Sequence, residues 1–290
     1  MMDSKHLKHF VAVAEFGHFT QAAKALHIAQ PALSISIKKF EQKLEMTLFR
    51  RSERKVELTD EGKVLFKHAK RVLQQIDDAK LAMDELKGLE KGEVRLGAPS
   101  MVGSYFFPQV LMAFKSRYPK LKLTLVDAGT SSIRKMLLSG ELDIGVINLE
   151  KVPDDLETEH LLHCEMVAVV GKDHPFASKS TVRFEEFFQQ DLVMFKDGYF
   201  HRDYIETKAK QHQLELECSF ETNLLPLILS IVRHEFAITA LLELVTQHEA
   251  DIIGIPFEEP VKLDLALAWR KDRYLSIAER TFIEFVKSFR

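Results

Sequence analysis

Leu33, Ile37, Phe40 and Leu44 step by four, three and four, which places all four on one side of a helix. The opposite side carries Pro31, Ile35, Lys38, Lys39 and Gln42, with Gln30 and Ser34 flanking the helix start. Pro31 suits the first helical turn, where its missing N–H has no intrahelical acceptor to serve. Upstream, Leu7, Phe10, Val11 and Ala14 predict a first helix that Gly17 breaks. Thr20 is placed to N-cap a second through Ala22, Ala23 and Leu26. This is the layout of a helix-turn-helix with a polar, basic outer face. The same periodicity fits an ordinary three-helix subdomain with a solvated lysine face, and the pattern alone leaves both open.

Beyond Thr59, Asp60 and Glu61 favour the positive end of a long helix running to about Leu86. Its apolar positions, Leu65, Ala69, Val72, Ile76, Ala79, Met83 and Leu86, alternate steps of four and three, a seven-residue repeat suited to pairing with another helix. Phe66 and Leu73 broaden this stripe toward that of a helix lying on its own domain, so the alternative stays open. At 1.5 Å per residue the helix spans roughly 40 Å, enough to hold two copies of the N-terminal domain about one DNA turn or more apart. Gly88 and Gly92, within the charged stretch KGLEKGE, predict a hinge.

From Glu93 onward short apolar runs alternate with helical stretches. Strands at 94–97, 121–127 and 143–147, with helices at 108–117 and 132–139 between them, form a β-α-β-α-β series and imply a parallel sheet. A second set follows at 167–170, 192–195, 217–221, 237–240 and 252–255. A strand at 263–269 and a helix at 276–289 close the chain. Two such sheets facing each other across a hinge place a ligand cleft at the strand C-termini.

Composition narrows the function. The 290 residues, 46% hydrophobic and 29% charged, suffice for two or three domains with sizeable cores. The charged N-terminus has no apolar stretch behind it and the greasiest run, 224–232, is too short to span a bilayer, so a cytoplasmic protein without membrane association is expected. Net charge −3 hides an asymmetry: residues 1–60 hold ten Lys/Arg against seven Asp/Glu, and the remainder is acidic. So mild a positive charge predicts weak binding of nucleic acid by one copy and a gain from linking two. Cys164 and Cys218 read as packing residues.

Enzyme chemistry finds little support. No GxSxG, HExxH or P-loop occurs; GELDIGV has P-loop glycine spacing but valine where lysine must meet phosphate. His6 and His9, and His160 and His163, are each three apart, but no third ligand stands at a telling sequence distance, so no metal is expected. Neither a catalytic group nor a cofactor is predicted. A solute-binding protein, the other class with this C-terminal pattern, would need export and leaves the N-terminal helices without a purpose.

Residues 5–62 resemble the LysR-type transcriptional regulators. Leu7, Phe10, Val13, Glu15, Gly17, Phe19, Thr20, Ala22, Ala23 and Leu26 fit that family's first two helices. Gln30, Pro31, Ala32, Leu33, Ser34, Ile37 and Glu41 fit its recognition helix, and Leu48, Phe49, Arg51, Arg54, Val56, Leu58, Thr59 and Gly62 fit its wing and linker start. His18 and Ala29 stand where the family usually has serine, and Glu45 and Glu53 where it has glycine. Ile35 occupies a site often held by arginine or glutamine, and an apolar side chain there favours a thymine methyl over a guanine edge. The C-terminal part is similar to the family's effector-binding domain, with ELDIGVI at 141–147 the most specific local match. Glu235, Ala237 and Leu242 depart from the Gly-x-Gly and proline pattern of its second lobe.

The resemblance implies an α/β protein with an N-terminal winged helix-turn-helix, a long linker helix and a two-lobed effector domain of the periplasmic-binding-protein kind. The domains implied are 1–58, 59–91 and 92–290, with lobe I at 92–161 and 267–290 and lobe II at 162–266. It implies antiparallel pairing of the linker helices. Gln30, Pro31, Ser34 and Ile35 are expected to read bases of an operator in double-stranded DNA, and Thr20, Lys38, Arg51 and Arg54 to hold phosphates. A small anionic effector is expected among Pro99, Ser100, Met101, Thr130, Ser131, Asn148, Phe195, Lys196 and Asn223, with Arg202 as counter-charge. A homodimer or homotetramer acting with RNA polymerase completes the expectation.

Overall fold

The computed structural model describes residues 3–51, 56–86, 92–150 and 152–289, and the chain divides into two compact units at residue 89. Arg54 and Gly88 lie outside the described residues.

In the first unit, α1 (Ser4–Phe16), α2 (Phe19–Ala25) and α3 (Gln30–Leu44) pack around Phe10, Val13, Ala22, Leu33, Ile37 and Phe40. Gly17 ends α1 in the left-handed region at φ 63°, the role a glycine fills without a Cβ clash. The cap expected of Thr20 belongs instead to the backbone of His18; Thr20 sits inside α2, and no side chain caps that helix. A two-stranded antiparallel wing follows, β1 (Phe49–Arg51) on β2 (Val56–Leu58), and then α4 (Asp60–Leu86). Thr59 does cap α4: its hydroxyl accepts the Gly62 N–H at 3.0 Å while donating to the Thr47 carbonyl at 2.7 Å. Leu65, Phe66, Ala69 and Leu73 of α4 lie on the helical core, whereas Val72, Ala79 and Met83 are exposed.

The second unit opens with β3 (Glu93–Ala98), α5 (Ser100–Tyr105), α6 (Phe107–Arg117), β4 (Lys122–Asp127), α7 (Thr130–Ser139) and β5 (Ile144–Asn148). β3 pairs with β4 and β5 in parallel, as the alternating pattern predicts. Next come β6 (Leu156–Gly171), α8 (Phe184–Phe188), β7 (Val193–Met194), α9 (Phe200–Gln211), β8 (Phe220–Glu221), α10 (Leu225–Arg233), β9 (Thr239–Leu242) and α11 (Glu243–Thr246). β10 (Ile252–Arg270) and α12 (Ile277–Ser288) complete the chain.

The strands differ from expectation in continuity. The segments expected at 252–255 and 263–269 are one strand, β10, and 167–170 is the end of a 16-residue β6. These two pair antiparallel along their lengths and join both ends of a mixed sheet ordered β4-β3-β5-β10-β6-β9. β7 and β8 form a separate parallel pair.

The ELDIGVI stretch is a structural joint. Gly145 must lack a side chain because an added Cβ would come within 2.4 Å of Ile133 on α7. Asp143 accepts the Arg95 N–H at 2.7 Å and meets the Arg95 guanidinium at 2.6 Å and that of Arg273 at 2.7 Å. Burial would raise this carboxyl, but the Arg95 hydrogen bonds and both guanidinium charges hold it below the ordinary carboxylate range. Arg273 also reaches Glu279, whose carboxylate accepts the Ser276 N–H in a capping box that starts α12. α12 then packs on α6, with the Phe282 ring 5.1 Å from that of Phe114.

Candidate nucleic-acid interface and ligand cleft

The α3 surface follows from its core. With Leu33, Ile37 and Phe40 inside, Gln30, Pro31, Ile35 and Lys38 are exposed and Ser34 is half-buried. Ile35, at 55% exposure, is an apolar side chain that the unit itself leaves uncovered. Thr20 is exposed on α2; Arg51 ends β1, its side chain outside the described residues. Glu41 ties α3 to the wing by accepting the Leu48 and Phe49 N–H groups at 2.8 and 3.2 Å. The Val56 N–H donates to the Gly17 carbonyl at 3.0 Å, anchoring the wing to the end of α1. The Glu45 backbone adopts φ 53°, and the Met46 N–H returns to the Glu41 carbonyl, so α3 ends in a glycine-type turn built without glycine.

In the second unit α7 and the end of β5 face α9 across a cavity of about 500 Å³. Thr130, Ser131 and Asn148 line it, together with Arg134, Tyr204 and Lys208, which the sequence reading did not single out. Thr130 and Arg134 are four residues apart on α7, the spacing that puts them on one face. Arg134 donates to the Asn148 and Glu150 carbonyls at 2.6 Å each, while its Nε is shielded and has no partner among the described residues. Burial lowers its pKa, against the opposing charge of Glu150. Lys208 is paired with Glu259 at 2.7 Å. Asp203 also lines the cavity, and burial raises its carboxyl.

The other expected ligand residues fall elsewhere. Pro99 and Met101 are buried, the Met101 sulfur accepting the Leu242 N–H at 3.4 Å, and Ser100 begins α5 without lining the cavity. Phe195 is core, its ring 5.1 Å from Tyr199 and 4.3 Å from His201. The Lys196 N–H donates to Asn223 Oδ1 at 3.0 Å, joining two exposed residues. The Arg202 guanidinium, expected as the counter-charge, is buried, paired with Glu206 at 2.9 Å and Glu221 at 3.0 Å, and donates to Cys218 Sγ. Its charge is committed within the domain, and the cationic groups of the cavity wall are Arg134 and the Glu259-paired Lys208. Gly129, preceding α7, would place a Cβ 2.2 Å from the Gly198 carbonyl, so the segment leading into α9 lies directly on the α7 start.

Comparison with known proteins decides the family. The model of the bacterial regulatory helix-turn-helix protein, lysR family, matches residues 4–63, and the LysR substrate binding domain matches residues 87–290. The chain belongs to the LysR family of transcriptional regulators. It is therefore a DNA-binding regulator with an effector-binding domain, not an enzyme. This regulator is 31% identical to the uncharacterized HTH-type transcriptional regulator YwbI of Bacillus subtilis over 99% of this chain and 97% of that protein. A full-length OxyR variant from Pseudomonas aeruginosa superposes with a TM-score of 0.75 at 26% identity, covering 99% of this chain and 94% of that one. CbnR, solved full-length with its target DNA, shares the fold at a TM-score of 0.67 and 21% identity, covering 99% of each chain. No helix among the described residues is long and apolar enough to cross a membrane.

Proposed function

We propose that this LysR regulator reads an operator in the major groove with Gln30, Pro31, Ser34 and Ile35, while Thr20, Lys38, Arg51 and Arg54 hold phosphates. The observation that carries this reading is the exposure of one face of α3 while Leu33, Ile37 and Phe40 on the opposite face are buried in the core. CbnR was solved on its target DNA with the same overall fold, which supports presenting that face to a duplex. The protein acts in the cytoplasm, where its DNA and RNA polymerase are, as a homodimer or homotetramer. Its parts are a DNA-binding domain at 1–58, a linker at 59–91 and an effector domain at 92–290.

A small anionic metabolite occupies the cavity between α7 and α9. Thr130, Ser131 and the first N–H groups of α7 supply donors, Asn148 adds a polar wall, and Arg134 supplies the charge. Effector binding changes the relative placement of subunits and so the spacing or bend imposed on DNA. This requires the effector to bind one arrangement better than the other.

The test separates the two roles assigned to α3. Lys38→Ala lowers affinity for all sequences and reduces the slope of log K against log salt by about 0.9 per subunit. Ile35→Gln changes the preferred base at one operator position and leaves the slope unchanged. Electrophoretic mobility shifts on randomised operators across a salt series measure both, and identical behaviour of the two variants overturns the assignment. For the cavity, a thermal-shift screen of metabolic acids finds a ligand that at a hundred times its Kd adds about 2.7 kcal/mol of stability. Arg134→Gln abolishes that shift.

A further inference from the structure

Two histidines three residues apart on a strand ordinarily face opposite sides of a sheet, because side chains alternate with period two. His160 and His163 on β6 do not. β10 pairs Asp264 with His163 and Leu265 with Leu162; the register then shifts so that Ala266 pairs with His160, leaving Leu161 as the extra residue of a β-bulge. The bulge returns His160 to the face of His163. Asp264 lies directly across from His163 and two residues before the partner of His160, so all three side chains share that face.

The cluster is tight. One ligand atom from each of the three residues lies within 4.8 Å of the others, and the imidazole centroids are 4.1 Å apart. His163 Nδ1 is hydrogen-bonded to Asp264 Oδ1, and His160 Nε2 stands 3.7 Å from the same oxygen. That Nε2 is sealed from solvent and has no hydrogen-bond partner among the described residues. An imidazole nitrogen left in that condition lacks the partner that buried polar atoms normally have. Ligands around a tetrahedral zinc ion, at about 2.0–2.2 Å from the metal, stand roughly 3.4 Å from one another. Asp264 and His163 are exposed, which leaves their side chains room to adjust toward this spacing.

We infer that His160, His163 and Asp264 form a binding site for one divalent transition metal ion of the zinc class. Two imidazoles and one carboxylate favour such an ion over calcium or magnesium, which take oxygen ligands, and water completes the coordination. β6 and β10 are the strands that run between the two ends of the effector-binding unit, so the ion cross-links them at the point where their register changes. This goes beyond DNA reading and the α7–α9 cavity and depends on neither.

The experiment uses full-length protein stripped by a chelator. Co2+ is added and followed by its ligand-field absorption, and Zn2+ affinity is measured by competition with a chromogenic chelator. One equivalent per chain is expected. Losing a ligand must cost more than losing an outer-shell partner, which costs about 10- to 100-fold, so His163→Ala and the isosteric Asp264→Asn each weaken Zn2+ binding by more than tenfold. His234→Gln, on an exposed histidine remote in sequence, leaves affinity unchanged. Zn2+ raises the Tm of the wild type and not of Asp264→Asn. Absence of binding, or a loss below tenfold in Asp264→Asn, overturns the proposal, and that variant decides the matter should His163→Ala fail to fold.

Discussion

Glu45 and Glu235 both hold left-handed backbone, at φ 53° and 58°, a conformation that costs an L residue about 1–2 kcal/mol relative to glycine. Their side chains distinguish them. Glu45 is exposed at the end of α3, whereas Glu235 accepts the Asp173 N–H at 3.0 Å. Glycine gives back some of the gain through greater freedom of the unfolded chain. Glu45→Gly should therefore stabilise by about 0.5–1 kcal/mol in urea titration, and Glu235→Gly by less, since it also loses a hydrogen bond. Both positions are legible as departures from glycine in the family pattern, but that the backbone keeps the glycine conformation is visible only in the fold. His201 is the other telling residue. Burial against Phe195 pushes its pKa down to about 3 from 6.5, so below pH 6.5 the unfolded chain takes up a proton that the folded chain refuses. Stability is then complete above pH 6.5 and falls with pH until about 3, by about 1.4 kcal/mol per pH unit. Between pH 6.5 and pH 5 the wild type should lose about 2 kcal/mol more than His201→Phe, compared by urea midpoints.

Elements with a local signature could be read in advance, and those made by distant pairing could not. The α3 core positions repeat along one segment, and Thr59, Asp60 and Glu61 mark the start of α4 at its own terminus. β6 carries Glu157, Glu159, His160 and His163 in its first half, a polar composition that looks like a loop until β10 is placed beside it. Pro256 similarly interrupts β10 in sequence, where the pairing absorbs it at a register shift. The third member of the histidine cluster was invisible for the same reason: Asp264 is 101 residues from His163. Arg134 carries no local signature of its place in the cavity wall, since a single arginine on an amphipathic helix has the pattern of a solvated residue. Asp143 shows how a local motif acquires a long-range task, linking β3 and β5 to the segment before α12 through Arg95 and Arg273. Removing it leaves the Arg273 guanidinium, itself almost fully buried, short of one partner. Asp143→Ala should cost about 3–5 kcal/mol. Trp269, the single tryptophan, is buried on β10 and reports unfolding of this unit by fluorescence.

At the scale of the whole molecule, the weak charge of the DNA-binding segment and the half-covered linker helix pose one problem with one solution. The N-terminal part of α4 is satisfied within its own chain, where Leu65 and Ala69 pack on the helical core. Farther along, Val72 and Met83 remain 45% and 54% exposed at the positions of the seven-residue repeat, and a groove of about 470 Å³ is lined by Leu7, Leu44, Met46, Val64 and Val72. Pairing two α4 helices would cover that seam and link two reading heads, and linkage converts two weak contacts into one strong one by raising the effective concentration of the second. Glutamates at both exposed positions oppose such pairing by placing charge where apolar contact is needed. Val72→Glu/Met83→Glu should therefore sediment as a monomer and bind a full operator at least about 100-fold more weakly, with little change on an isolated half-site. Half-site affinity is the control that matters: if it falls in parallel, the substitutions damaged the reading head rather than the seam. Unchanged mass with unchanged operator affinity would place the subunit contact elsewhere on the chain and leave the repeat in α4 without a role in assembly.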